Sequence, residues 1–87
     1  MSDVSFQLFI QPGCPVCEEA QQALEQRFPG TFTLHDITAD PDAAADFDFH
    51  ARNDRVPLLV LESDSELRVF QGAAVPKFVH HLAEERA

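Results

Sequence analysis

Tryptophan and tyrosine are absent from this 87-residue chain, glycine occurs three times, methionine once and cysteine twice. Lysine and arginine number six against fifteen aspartates and glutamates, for a net charge of −9. Each shortage excludes something. So acidic a chain repels a polyanion such as nucleic acid, and equally an anionic membrane face. No apolar run nears the ~20 residues that a membrane-spanning helix needs. Two cysteines are too few for a disulfide scaffold, and a bridge across the short loop between them would add little stability through loop entropy. The start, Met1-Ser2-Asp3-Val4, has no basic stretch ahead of an apolar one. No secretory signal is read there, and the chain is expected to be cytosolic. Nothing reads as a linker, a repeat or a low-complexity tract, so residues 1–87 are taken as a single domain.

What is present is a globular composition. The hydrophobic content is 45%, with eight phenylalanines, which is too rich for disorder. A chain this short buries only about 60% of its unfolded surface. Both cysteines fall within Gln11-Pro12-Gly13-Cys14-Pro15-Val16-Cys17-Glu18. An apolar run precedes this stretch and a segment of helical periodicity follows it. Pro12-Gly13 is turn chemistry, and Pro15 suits the first position of a helix. The reading is strand, tight turn, helix, with Cys14 at or beside the N-cap and Cys17 one turn further in. Two sulfurs so spaced can meet, and the positive end of the helix favours thiolate at Cys14. Glu18 and Glu19 follow directly and oppose that effect. A C-x-x-C of this kind reads as a redox pair.

The remaining elements follow in order. Val4 to Ile10 carries apolar residues on both faces, as a central strand does. Helix one runs from Cys14 to about Phe28 with Val16, Ala20, Ala23, Leu24 and Phe28 inward, and Pro29-Gly30 stops it. Thr31 to Ile37 is strand two, joined through the helix as a right-handed βαβ unit. Asp36 to Pro41 is a turn. Asp40 then caps a second helix from Pro41 to about Arg52, with Ala44, Phe47 and Ala51 inward. The Val56–Leu61 run is strand three, opened by a proline that cannot pair in mid-sheet. A turn over Glu62-Ser63-Asp64-Ser65 leads to strand four at Glu66–Phe70, antiparallel to strand three. Gln71-Gly72-Ala73 closes that strand. Helix three spans about Ala74 to Glu85, with Val75, Phe78, Val79 and Leu82 on one face. Phe6, Phe9, Phe28, Phe32, Phe47, Phe70 and Phe78 are assigned to the core, and Phe49, which fits no stripe, to an exposed contact position.

The order β-α-β-α-β-β-α, with C-P-x-C at the first βα turn and Arg55-Val56-Pro57 before strand three, resembles the glutaredoxin branch of the thioredoxin fold. It is most similar there to small glutaredoxin-like proteins with a C-x-x-C-E-E start. The resemblance implies an α/β fold with a four-stranded mixed sheet flanked by three helices. It makes Cys14 the nucleophile and Cys17 the resolving cysteine, and it makes Pro57 a cis-proline set against them. It further implies substrate contacts from Pro15 and Val16 between the cysteines, from the Val56 backbone, from Pro57 and from Gly72, and Arg55, next to the cis-proline loop, is read as a further contact for a glutathione carboxylate. Glutathione, as a co-substrate, or a protein disulfide would be the partner. The chain departs from the family at Gln11, where a basic residue is usual, and at Val16, where an aromatic is. After strand four only Gly72 remains of a Gly-Gly motif.

Other readings stand beside this one. The same groove would serve a non-catalytic thioredoxin-fold module that docks a protein. Arg55 is either a clamp for a substrate carboxylate or a solvated loop residue paired with Asp54 or Asp40. A zinc site drawing on the C-x-x-C would need a histidine pair, but His80 and His81 are adjacent on a helix and point apart. His35, His50, His80 and His81 are therefore read as surface or boundary residues, and no metal or resident cofactor is assigned. The chain is expected to be a monomer.

Overall fold

A computed structural model describes residues 5–30, 32–63 and 66–86, with side chains to His81. Val4, Thr31, Asp64, Ser65 and the Leu82 side chain, named above, lie outside the described residues. Strand β1 (Ser5–Ile10) leads through a turn into helix α1 (Pro15–Arg27), and strand β2 (Phe32–Asp36) follows. Helix α2 (Pro41–His50), strands β3 (Leu58–Glu62) and β4 (Leu67–Gln71), and helix α3 (Ala74–Arg86) complete the order. The sheet order is β2-β1-β3-β4, with β1 parallel to β2 and antiparallel to β3, and β3 antiparallel to β4. This is the mixed four-stranded sheet that the sequence reading expects.

Central position explains the apolar runs of β1 and β3. Phe6 and Leu8 of β1 and Leu59 and Leu61 of β3 face one side, where Ala20, Ala23, Leu24 and Phe28 of the first helix and Val75 and Val79 of α3 cover them. Phe9, Leu58 and Val60 face the other side and pack under Ala43 and Phe47 of α2. A strand covered on both faces must be apolar at successive positions. The edge strands are covered less. Leu34 of β2 is 42% exposed and Leu67 of β4 is 52% exposed. Phe6, Phe9, Phe28 and Phe47 are buried; Phe32, Phe70 and Phe78 are half-buried against the first cluster. Phe70 and Phe78 stack at 3.8 Å under the Arg68 guanidinium.

Caps and turns follow local chemistry. The Asp40 carboxylate accepts the Asp42 N–H at 3.0 Å and starts α2 ahead of Pro41. Asp36 accepts from both the N–H and the hydroxyl of Thr38, which closes the turn after β2 and holds its carboxyl below the usual range. Three expectations need correction. Ala43, not Ala44, is the buried alanine of α2, because the helix turns Ala43 and Phe47, four residues apart, toward the sheet. The helix also ends at His50 rather than Arg52, because the Arg52 N–H is donated sideways to the Gln71 side chain at 2.9 Å. Strand β3 starts at Leu58 rather than Val56, because Pro57 has no N–H to give the sheet.

Leu59 is fully buried between the sheet and two helices, whereas Phe49 is 83% exposed. Leu59→Ala is expected to cost about 2–5 kcal/mol in denaturant unfolding. Phe49→Ala should change stability by no more than about 0.5 kcal/mol. A comparable loss in the two variants would contradict this assignment of the core.

Candidate functional site

Three strand ends and one helix start meet at a single edge of the sheet. The register pairs Phe9 with Leu58, and Leu58 with Gln71. The C-terminal end of β1, the first residue of β3 and the C-terminal end of β4 are therefore neighbours. The turn after β1 delivers Cys14, the segment before β3 delivers Val56-Pro57, and the residue after β4 is Gly72. Crevices at the C-terminal ends of parallel strands are the usual ligand positions of open α/β sheets.

Cys14 is the N-cap of the first helix, in extended conformation, with Pro15 in the first turn. Its turn depends on Gly13, which has φ +75°, a value that glycine adopts without the clash a side chain would meet. Cys14 Sγ accepts the backbone N–H of Cys17 at 3.1 Å, the bond that a serine or aspartate oxygen makes in an ordinary cap. The sulfur therefore stands at the N-terminal end of the helix, where backbone N–H groups point outward. The Cys14 thiol also faces the Val56 carbonyl oxygen, 4.0 Å away and 42 residues later in the chain.

Cys17 differs in burial and in its hold on its proton. Its side chain is 1% exposed, and burial, followed by its interaction with Cys14, pushes the thiol from an ordinary 9.0 up to about 12. Both cysteines are free thiols, with Cys14 half-exposed. One helical turn thus presents a half-exposed cysteine at its cap and a buried, protonated one behind it.

The opposing wall is built on Pro57. The Val56–Pro57 peptide is cis, and the Pro57 carbonyl accepts the Gly72 N–H at 2.9 Å. Gly72 has φ +65°, and a methyl group placed on it would lie 3.9 Å from Arg55 Cδ. Its own carbonyl accepts the Val75 N–H at 3.0 Å and so begins α3. Pro15 and Arg55 are exposed, Val16 and Val56 half-buried, Pro57 and Gly72 buried. The structure brings Cys14 to Val56, Pro57 to Gly72 and Gly72 to Arg55.

Gln71 is the residue that the sequence reading leaves without a role. Its side chain binds the loop over residues 52–55, which leads into Val56-Pro57. The available signal was an amide side chain at a strand end, and nothing local says that a loop lies across from it. Among the histidines, His80 and His81 are exposed and His35 and His50 half-buried. His35 stacks on Phe9 at 4.7 Å, and its Nε2 is buried with no hydrogen-bond partner among the described residues. Among the described residues no three His, Cys, Asp or Glu side chains group as metal ligands, and no helix is long and apolar enough to cross a membrane.

The contrast between the two thiols has a pH consequence. The folded chain holds the Cys17 proton more tightly than the unfolded chain does. Its contribution to stability is therefore complete below about pH 9 and is lost as pH rises toward 12. Urea unfolding of the reduced protein should show stability falling through that window, and Cys17→Ala should flatten the fall. Iodoacetamide at neutral pH should label Cys14 and spare Cys17 until the protein is unfolded. Equal labelling of both in the folded state would contradict the geometry.

No family model matches the chain, and no curated protein matches it. Solved structures do. The oxidised form of mitochondrial thioredoxin 3 from Saccharomyces cerevisiae is 25% identical with a TM-score of 0.65, the match covering 95% of this chain and 78% of that one. An uncharacterised thioredoxin-like protein from Clostridium perfringens is 18% identical with a TM-score of 0.60, over 94% and 69% of the two chains. The germline-specific thioredoxin Deadhead of Drosophila melanogaster is 16% identical with a TM-score of 0.57, over 93% and 79%. The chain has the thioredoxin fold, with a pair of cysteines compatible with thiol–disulfide exchange at the start of its first helix.

Proposed function

We propose that the protein is a small thiol–disulfide oxidoreductase of glutaredoxin-like type that reduces a glutathione-mixed or protein disulfide. The observation that carries this is the asymmetry of Cys14 and Cys17 within one helical turn. Cys14 is half-exposed and its Sγ accepts an N–H at 3.1 Å, while Cys17 is buried with its thiol pushed up to about 12. Thiolate is the attacking species in exchange, so the labour divides by position.

In the first step the Cys14 thiolate attacks one sulfur of the substrate disulfide. A Cys14–substrate S–S bond forms, the substrate S–S bond breaks, and the other substrate sulfur leaves as thiolate. In the second step Cys17 gives its proton to solvent or to the departing thiolate and attacks Cys14 Sγ. The Cys14–Cys17 disulfide forms and the second substrate sulfur is released. The substrate gains two electrons and the cysteine pair loses two. An external thiol or dithiol must then restore the reduced pair.

Once the mixed disulfide has formed, Cys14 sulfur carries no negative charge and its repulsion of a Cys17 thiolate disappears. That change favours the resolving step. The backbone of Val56, facing Cys14 across the crevice, is the surface for the substrate main chain. The exposed Arg55 beside Gly72 offers a cation to a substrate carboxylate.

Reduction of a glutathione-mixed disulfide, coupled to an external thiol, tests the scheme. Cys14→Ser should lower turnover by at least about 100-fold. Cys17→Ser should leave capture intact and accumulate a covalent adduct of Cys14 with half of the substrate, visible in the intact mass under non-reducing conditions. No turnover by the wild type with either substrate class, or full turnover by Cys14→Ser, would favour a non-catalytic binding module.

A further inference from the structure

We propose that Gln71 is a positioning residue that holds the wall of the crevice opposite Cys14, through hydrogen bonds to the loop that precedes Val56-Pro57. The inference rests on the reading of Cys14 as the attacking sulfur, which makes that wall the substrate-facing side.

The loop has little else to hold it. Arg52, Asn53, Asp54 and Arg55 are all exposed, so no apolar burial fixes their backbone. Their polar atoms turn instead toward one side chain. Gln71 Oε1 accepts the Arg52 N–H at 2.9 Å. Gln71 Nε2 donates to the Arg55 carbonyl at 2.9 Å and, more weakly, to the carbonyl and the side-chain oxygen of Asn53 at 3.2 and 3.4 Å. The Arg55 N–H is donated to Asn53 Oδ1 at 2.9 Å, which knits the loop to itself.

The chemistry of these partners decides which side chain fits. One contact requires an acceptor and the others require donors, and a carboxamide is the side chain that carries both. It also fixes the orientation of the amide, since Nε2 toward Arg52 would oppose donor to donor. Glutamate would keep the bond to Arg52 and set a carboxylate oxygen against two carbonyls. Leucine would keep the bulk and lose every bond.

The next residue extends the grip. The Gly72 N–H binds the Pro57 carbonyl at 2.9 Å, so Gln71 and Gly72 together hold both ends of the stretch from Arg52 to Pro57. Val56, whose carbonyl lies 4.0 Å from Cys14 Sγ, sits between the two points. A shift of the loop would move the surface that the substrate main chain must meet while leaving the cap of the first helix intact.

The test compares wild type, Gln71→Leu and Gln71→Glu in the full chain. The first readout is independent of activity: exchange of the Arg52 backbone amide with deuterium, followed by NMR. That amide should exchange at least about tenfold faster in Gln71→Leu and stay protected in Gln71→Glu, whose carboxylate still accepts it. The second readout is turnover. In Gln71→Leu, kcat/KM for a mixed disulfide should fall by about tenfold or more, mainly through KM, since small misplacements at a reacting centre have large effects. Labelling of Cys14 by iodoacetamide should stay within about twofold of wild type, because its helix cap is untouched.

Gln71→Glu adds a pH signature. Its turnover deficit relative to wild type should shrink as pH falls into the ordinary glutamate range near about 4, because a protonated glutamate has an O–H to donate to the Arg55 carbonyl. The deficit of Gln71→Leu should not change with pH. The inference is overturned if Arg52 exchange is unchanged in folded Gln71→Leu, if kcat/KM matches wild type, or if Cys14 labelling falls by the same factor as turnover. If the wild type shows no exchange with any disulfide, it is the proposed function that fails, and the Arg52 amide alone then decides whether Gln71 holds the loop.

Discussion

The first helix begins on a sulfur. Cys14 Sγ accepts the Cys17 N–H at 3.1 Å, and much of the rest of the molecule positions that one contact. A cap atom must stand outside the first helical turn, so Cys14 is accessible. The residue three positions on must turn inward, so Cys17 is buried. A serine cap would give the same helix with no redox chemistry. Here the atom that begins the helix is also the one that the proposed function makes the attacking sulfur, with the buried Cys17 thiol one turn behind it.

Apart from the Gln71 amide that holds the loop before Pro57, the groups that position this contact are apolar or backbone in nature. β1 is clamped between two clusters, with Leu8 under α1 and α3 and Phe9 under α2. Its end therefore delivers the turn to Cys14 from a rigid support, the arrangement that keeps a functional constellation in place. The facing wall reaches the same spot through Pro57, which is buried, and through the Gly72 N–H at 2.9 Å. The charged residues lie outside this frame. Glu18 and Glu19 are exposed on the first helix and Arg55 on the loop, so the site mixes signs at its rim while its floor is neutral.

Local signals carried most of the fold in the sequence. Pro15 and Pro41 mark two helix starts, Asp40 caps the second, Gly13 and Gly30 mark turns, and two-sided apolar runs name β1 and β3 as central. The C-P-x-C beside the first strand marks the candidate site, and Val56-Pro57 are the residues that the structure sets facing it. Long-range polar contacts were not legible. Gln71 looks like any strand end until β3 sets it beside the loop before Pro57, and that same contact ends α2 two residues early. Ala43 and Ala44 are chemically alike, so only the tilt of α2 against the sheet distinguishes them. The half-exposure of Leu34 and Leu67 follows from their edge strands, a property of sheet order that alternation in sequence does not encode.

The central claim is that Cys14 and Cys17 form a reversible dithiol–disulfide pair. It is tested most directly by equilibrating the purified protein in redox buffers of graded potential and measuring its intact mass after acid quenching. A single two-electron transition between dithiol and intramolecular disulfide is expected, with a midpoint between about −180 and −300 mV, the range of thiol–disulfide exchange proteins. Failure to form the intramolecular disulfide at any potential, or oxidation only to intermolecular species, would contradict the account.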